Sequence, residues 1–167
     1  MHEARYYTQK SGNKTRCLLC PHNCLIADEK AGICRVRINH GGVLYSGVYG
    51  EVAALHADPI EKKPLYHFYP GSKILSVGTA GCNLRCEFCQ NYNLSQFEPC
   101  HSSRTRKITP QQLVHLALED NENIGIAYTY NEPTVFFEMM TDTARLVRES
   151  GLKNVVVSNG FINPEPL

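Results

Sequence analysis

What most constrains this chain is the stretch Gly81-Cys82-Asn83-Leu84-Arg85-Cys86-Glu87-Phe88-Cys89, where three cysteines stand at the spacing Cys-x3-Cys-x2-Cys. Thiolates are the usual protein ligands of iron–sulfur clusters and tetrahedral zinc, and a tight loop can converge its sulfurs on one centre. That there are three thiols and not four matters as much as their closeness. A cube of four irons held by three protein thiolates leaves one iron without a protein ligand, and an open coordination position separates a reactive metal site from a closed structural one. The loop follows the apolar run Ile74 to Val77, which reads as a short buried strand. Strand ends are where barrel enzymes place reactive loops. A zinc knuckle or a buried trio of thiols is the plainer alternative.

A second group lies upstream. Cys17, Cys20 and Cys24 fall in Cys17-Leu18-Leu19-Cys20-Pro21-His22-Asn23-Cys24, and Cys34 follows in Gly32-Ile33-Cys34-Arg35-Val36-Arg37. These four are a candidate second metal site, either zinc held by four thiolates or an auxiliary iron–sulfur cluster, with His22 as a substitute ligand. Spacing alone does not choose the metal, and a staple that locks a small N-terminal lobe is the structural reading. The group follows the polar segment Thr8 to Arg16 instead of an apolar strand, which ranks it behind the central loop as a reactive site. Cys100 is left as an unassigned free thiol.

The segment Met1 to Lys10 is polar and carries no apolar core of a signal peptide, so the eight cysteines read as reduced, cytoplasmic, metal-binding thiols and not as disulfides. A formal charge of +1, from 17 basic and 16 acidic residues, gives no electrostatic footprint for nucleic acid or an anionic membrane. No apolar run approaches the ~18 residues of a membrane span. Neither nucleic acid nor membrane is an expected partner.

The pattern changes at Pro70-Gly71-Ser72. Residues 1–70 are expected to form a cysteine-rich lobe with a β-hairpin built from Val43-Leu44-Tyr45 and Gly47-Val48-Tyr49. Residues 71–167 alternate strand and helix signals. Thr109-Pro110 caps a helix over Pro110 to Glu119, Ile124 to Tyr128 is a strand, and Glu132-Pro133-Thr134 opens a helix with an apolar stripe of Phe136, Met139 or Met140, Ala144 and Val147. Gly151 ends that helix, Val155 to Val157 is a third strand, and Asn163-Pro164-Glu165 looks like another helix start. Such units predict a parallel α/β sheet with right-handed crossovers. All three strands end in polar loops: the cysteines, Tyr130-Asn131-Glu132-Pro133, and Ser158-Asn159-Gly160. On one face of a barrel these would surround one ligand, making Asn131, Glu132, Ser158 and Asn159 candidate cofactor-binding residues. Helix capping and an ordinary Asn-Gly turn are their plain readings.

With an aromatic residue before its last cysteine, the central loop resembles the signature of the radical S-adenosylmethionine (SAM) superfamily. A narrower set of motifs comprises the two N-terminal cysteine segments, Asp58-Pro59-Ile60-Glu61-Lys62-Lys63-Pro64-Leu65, the central loop with Gln90-Asn91, and Tyr128-Thr129-Tyr130-Asn131-Glu132-Pro133-Thr134. That set resembles the AmmeMemoRadiSam-system radical SAM proteins, relatives of the pyruvate formate-lyase activating enzymes. The resemblance implies a [4Fe-4S] cluster on Cys82, Cys86 and Cys89, with SAM chelating the open iron and held partly by Asn131 and Glu132. It further implies a 5′-deoxyadenosyl radical that abstracts hydrogen from an unassigned substrate, an electron donor, and association with Memo-like and AMMECR-like proteins. Catalytic residues beyond the cofactor ligands are not assigned.

Two departures separate the chain from the activating enzymes. They usually carry Gly-Gly-Glu-Pro where Tyr130-Asn131-Glu132-Pro133 stands, and often Asp-Thr-Asn-Gly where Val157-Ser158-Asn159-Gly160 stands. A glycyl-radical substrate is therefore an alternative expectation, as is a non-catalytic, metal-stabilised interaction module. At ~30 residues per strand–helix unit, Gly71 to Leu167 holds about three of the superfamily's six units. The chain is thus expected to be an incomplete partial barrel, the N-terminal half of such an enzyme.

Overall fold

A computed structural model describes residues 1–96 and 105–167, which leaves Cys100 outside the described residues. The first half is built from short strands: β1 (His2–Glu3), β2 (Tyr7–Lys10), β3 (Lys14–Cys17), β4 (Leu25–Ile26), β5 (Arg37–His40), β6 (Val43–Ser46), β7 (Glu51–Val52) and β8 (Ala54–Pro59). Then come β9 (Lys73–Gly78), α1 (Tyr92–Ser95), β10 (Arg106–Lys107), α2 (Pro110–Leu118), β11 (Asn123–Tyr128), α3 (Phe137–Glu149) and β12 (Lys153–Val156).

Gly41 and Gly42 both take positive φ, +62° and +83°, which is what a two-residue hairpin turn demands. The strands flanking that turn, β5 and β6, therefore pair with each other. Gly47-Val48-Tyr49, expected as a hairpin arm, is a turn that buries Val48. With β1 the hairpin makes one small sheet, and β2, β3 and β4 make another.

The main sheet runs β12-β11-β9-β8, with β9, β11 and β12 parallel and β8 antiparallel to β9. This is the expected α/β arrangement, open and not closed into a barrel. The sequence did not reveal β8, whose His56 and Asp58 interrupt any apolar run, yet it pairs with β9 from Ala54 to Pro59. The sheet thus spans the turn at Pro70-Gly71-Ser72.

Thr109 Oγ1 accepts from Gln112 N at 3.2 Å while Gln112 Oε1 accepts from Thr109 N at 2.8 Å, a reciprocal cap that starts α2 with proline at its first position. The next helix begins later than its sequence suggests, because Pro133–Phe136 form a 3-10 turn before α3. Gly151, at φ +76°, donates its N–H to Arg148 O at 3.1 Å and ends α3 as expected. Leu113, Ala117, Phe136, Met139 and Val147 pack against Val77, Ile126 and Tyr128 on one face of the sheet. Ile60 packs with Ile74, Ala127 and Val155 on the other.

Lobe and sheet are joined by burial and charge. Phe137 lies in a small core with Cys17, Leu19, Ile26 and Leu44. Next to it the Arg37 guanidinium donates to both oxygens of Glu138 at 2.8 Å, with both side chains fully buried. Asn163 does not start a helix; its side chain donates to Leu18 O at 2.6 Å and straps the final segment to the cysteine lobe. Among the described residues, no helix is long and apolar enough to cross a membrane.

Candidate functional site

Because β9, β11 and β12 are parallel, their C-terminal ends lie on one side of the sheet. The loop after β9 is drawn onto the lobe by glycine. Gly81 sits at φ +88°, and a Cβ there would lie 2.6 Å from Val36 Cγ1 and 2.7 Å from Cys34 O. No other residue permits this approach. The close contact sets Cys82 against the backbone that carries Cys34.

From Cys82 the loop folds around its own sulfurs. Leu84 N–H points at Cys82 Sγ at 3.4 Å, Cys89 N–H donates to Cys86 O at 3.2 Å, and Cys89 Sγ lies 3.4 Å from Ser95 Oγ. Gln96 Nε2 donates to Leu84 O at 3.0 Å, and Arg35 donates to Gln96 O, so a lobe residue buttresses the short helix α1. Cys82, Cys86 and Cys89 are all half-buried free thiols, while the Phe88 ring stands in solvent. Burial pushes the Cys82 thiol up from its ordinary value; the nearby Glu132, Cys89 and Cys86 add to this, and the Leu84 N–H opposes it. A metal must therefore displace a proton to bind here.

The second loop, after β11, clamps the first. Asn131 is buried, and its Oδ1 accepts from Thr79 N at 3.1 Å. Its Nδ2 donates to Thr79 Oγ1 at 3.1 Å and to Gly81 O at 2.8 Å. At the far end, Asn91 Nδ2 donates to Tyr130 O at 2.8 Å. Both ends of the cysteine loop are thus fastened to Tyr130-Asn131.

Glu132, only 3% exposed, fastens the third loop. Its Oε1 accepts from Thr134 N at 2.9 Å, Thr134 Oγ1 at 2.7 Å and Ser158 Oγ at 2.7 Å, while Oε2 accepts from Asn159 N at 2.8 Å. Asn159 Nδ2 then donates to Asn83 Oδ1 at 3.0 Å, and Asn83 Nδ2 donates to Phe161 O at 2.8 Å. The structure therefore brings Asn131, Glu132, Ser158 and Asn159 together with the cysteine loop in one hydrogen-bonded net. The Asn131 side chain and Glu132 Oε1 are engaged by other loops, leaving Glu132 Oε2 and the loop backbone as the freer acceptors.

Several members of this net carry no signal in the sequence. Asn83 is one of the three residues between Cys82 and Cys86, yet it joins three loops; its carbonyl also meets His22 Nε2 at 2.8 Å. Tyr130 had a signal: it stands where the activating enzymes have glycine, and its φ is +71°. A bulky residue in the left-handed region costs about 1–3 kcal/mol and persists only where its surroundings over-determine it. Here they do. Tyr130 OH donates to Asp58 Oδ2 at 2.6 Å, Lys63 Nζ lies 5.0 Å from the Tyr130 ring centre, and His56 packs edge-on against it. Burial pushes the Asp58 carboxyl up, but hydrogen bonds from Lys62, Lys63 and Tyr130 outweigh it and hold the group well below its ordinary value.

The donor set can be tested against the cofactor it would hold. Among the described residues no three His, Cys, Asp or Glu side chains are arranged around a single ion. Three soft sulfurs on one loop, without a fourth thiol in that loop, suit a polynuclear cluster with one iron left open.

Comparison with known proteins gives the same direction. The family described as the radical SAM superfamily matches residues 76–167, more than half of the chain. Over all 167 residues the chain is 47% identical to the uncharacterized protein MJ0808 of Methanocaldococcus jannaschii. It spans 50% of that relative's length.

Proposed function

The chain belongs to the radical SAM superfamily, and on that premise we propose that it carries a [4Fe-4S] cluster on Cys82, Cys86 and Cys89 and binds SAM over the loops at Asn131, Glu132, Ser158 and Asn159. Together these cofactors supply a one-electron cleavage of a carbon–sulfur bond that yields a 5′-deoxyadenosyl radical, with hydrogen abstraction from a substrate as its use. The observation that carries this reading is the net by which Asn131 fixes Thr79 to Gly81, just ahead of Cys82, while Glu132 fixes Ser158 and Asn159.

The chain's own residues prepare the site. Asn131 holds the backbone that leads to the first thiol, Asn91 ties the segment after Cys89 to Tyr130 O, and the Leu84 N–H stabilises negative charge on Cys82 Sγ. Glu132 Oε2 and the carbonyls beside it present negative potential where the ammonium of an amino-acid cofactor would be held. Ser158 and Asn159 are fixed in place rather than left to find a ligand, which reduces the ordering cost of binding.

Five motifs in order support a finer assignment to the AmmeMemoRadiSam system, with Memo-like and AMMECR-like proteins and a one-electron donor as partners. The apolar Val157, where the glycyl-radical activases often have an acid, favours a different substrate from theirs. The test is anaerobic reconstitution with iron and sulfide, followed by SAM and a reductant. 5′-Deoxyadenosine should form with the full-length protein, and an intact cluster that yields none would overturn the reading. Mixing with purified Memo-like and AMMECR-like proteins tests the partners, and no complex by size-exclusion chromatography would remove them.

A further inference from the structure

The four upstream cysteines meet in one place. Cys17, Cys20, Cys24 and Cys34 line a single cavity of about 20 Å³, with His22 and Arg37 among its other lining residues. A closed zinc site has no such space, because zinc–sulfur bonds of about 2.3 Å bring four sulfurs into contact around the ion. This cavity admits a water-sized body, which needs about 10–15 Å³. The space beside these four cysteines is therefore more than a closed four-thiolate zinc site leaves.

A second feature borders the same space. Arg37 is 1% exposed, and while its Nη1 is taken by Glu138, its Nε and Nη2 have no partner among the described residues. Buried guanidinium N–H groups are among the costliest donors to leave unpaired. Arg37 lines the cavity beside Cys17 and Cys34, so an acceptor lodged there, negatively charged and rich in sulfur, would satisfy it.

We propose that Cys17, Cys20, Cys24 and Cys34 ligate a second iron–sulfur cluster of the [4Fe-4S] type, with Arg37 donating hydrogen bonds to its sulfurs. Four protein thiolates leave no iron open, so this cluster takes no SAM. Its chemistry is confined to bracing the lobe and exchanging single electrons. It lies next to the catalytic loop, because Asn83, the residue after Cys82, lines the same cavity and Gly81 packs on Cys34 O.

The experiment removes the loop cluster and asks what is left. A Cys82→Ser/Cys86→Ser/Cys89→Ser variant, reconstituted anaerobically with iron and sulfide, should retain about four irons and four sulfides per chain, with a reduced EPR signal that SAM does not alter. The parent protein, which needs no variant to fold, should hold about eight irons. Stoichiometric zinc without sulfide in the folded variant, or a folded variant without iron whose parent holds about four, would overturn the proposal. Neither result depends on whether the loop cluster binds SAM. Arg37→Lys keeps the charge opposite Glu138 but removes the two free N–H groups, and it should move the retained cluster's midpoint potential downward. An unchanged potential would overturn the role given to Arg37.

Discussion

The two cysteine groups lie side by side and differ in what surrounds them. The upstream group has four thiols that line one cavity, beside a buried guanidinium with two donors unpaired among the described residues. The loop group has three thiols on a turn at the strand ends, with Phe88 in solvent and a net of Asn131, Glu132 and Asn159 around it. Sulfur count and surroundings differ together: the four-thiol set lines a cavity within the lobe beside Arg37, and the three-thiol set faces the open ends of three strands. On the proposed reading, what separates a bracing centre from a reactive one is which coordination positions the thiols leave free.

The largest effect should come from breaking the enclosure. Arg37→Leu strands Glu138, which is fully buried, and should lower stability by about 3–5 kcal/mol, the usual cost of orphaning one partner of a buried ion pair. Urea denaturation measures it, and a loss below 1 kcal/mol would mean that the pair does not join lobe to sheet.

Next comes the net around the loop group. Glu132→Gln keeps the shape but turns one oxygen into a donor facing Ser158 or Asn159 N–H, at a cost of about 1–3 kcal/mol. It should weaken SAM binding, read by equilibrium dialysis, while leaving the upstream group's metal content intact. Loss of metal from both groups would erase the distinction between them.

Smaller again is the support beneath the second loop. Tyr130→Phe removes the donor to Asp58 and should cost about 1 kcal/mol, read from the denaturation midpoint. The same network has a pH signature. The Asp58 carboxyl is held below its ordinary value of 3.8, so its contribution is fully present above that pH and is lost as pH falls below it toward the folded value. Stability of the parent should therefore fall with acidification below about 3.8 more steeply than that of Asp58→Asn. Parallel curves would show that the ion pairs add nothing.

Much of this was legible in the sequence, for identifiable reasons. Short-range chemistry was readable: the Thr109-Pro110 cap, the Gly151 stop and the thiol spacings each act within a few residues. The site's three loops were also readable, because parallel strands must end on one side. What the sequence hid depends on distant partners. β8 is a strand because β9 is available to pair with it, and Asn83 matters only where the third loop comes to meet it. The approach of the Cys82 loop to Cys34 rests on Gly81 letting two backbones touch, which spacing along the chain does not encode.

The contrast between the two groups comes down to one spectrum. EPR of the reduced, reconstituted parent, recorded before and after addition of SAM, should show one cluster signal that shifts and a second that does not. A spectrum wholly unchanged by SAM, with iron bound and Cys82, Cys86 and Cys89 intact, would contradict the account.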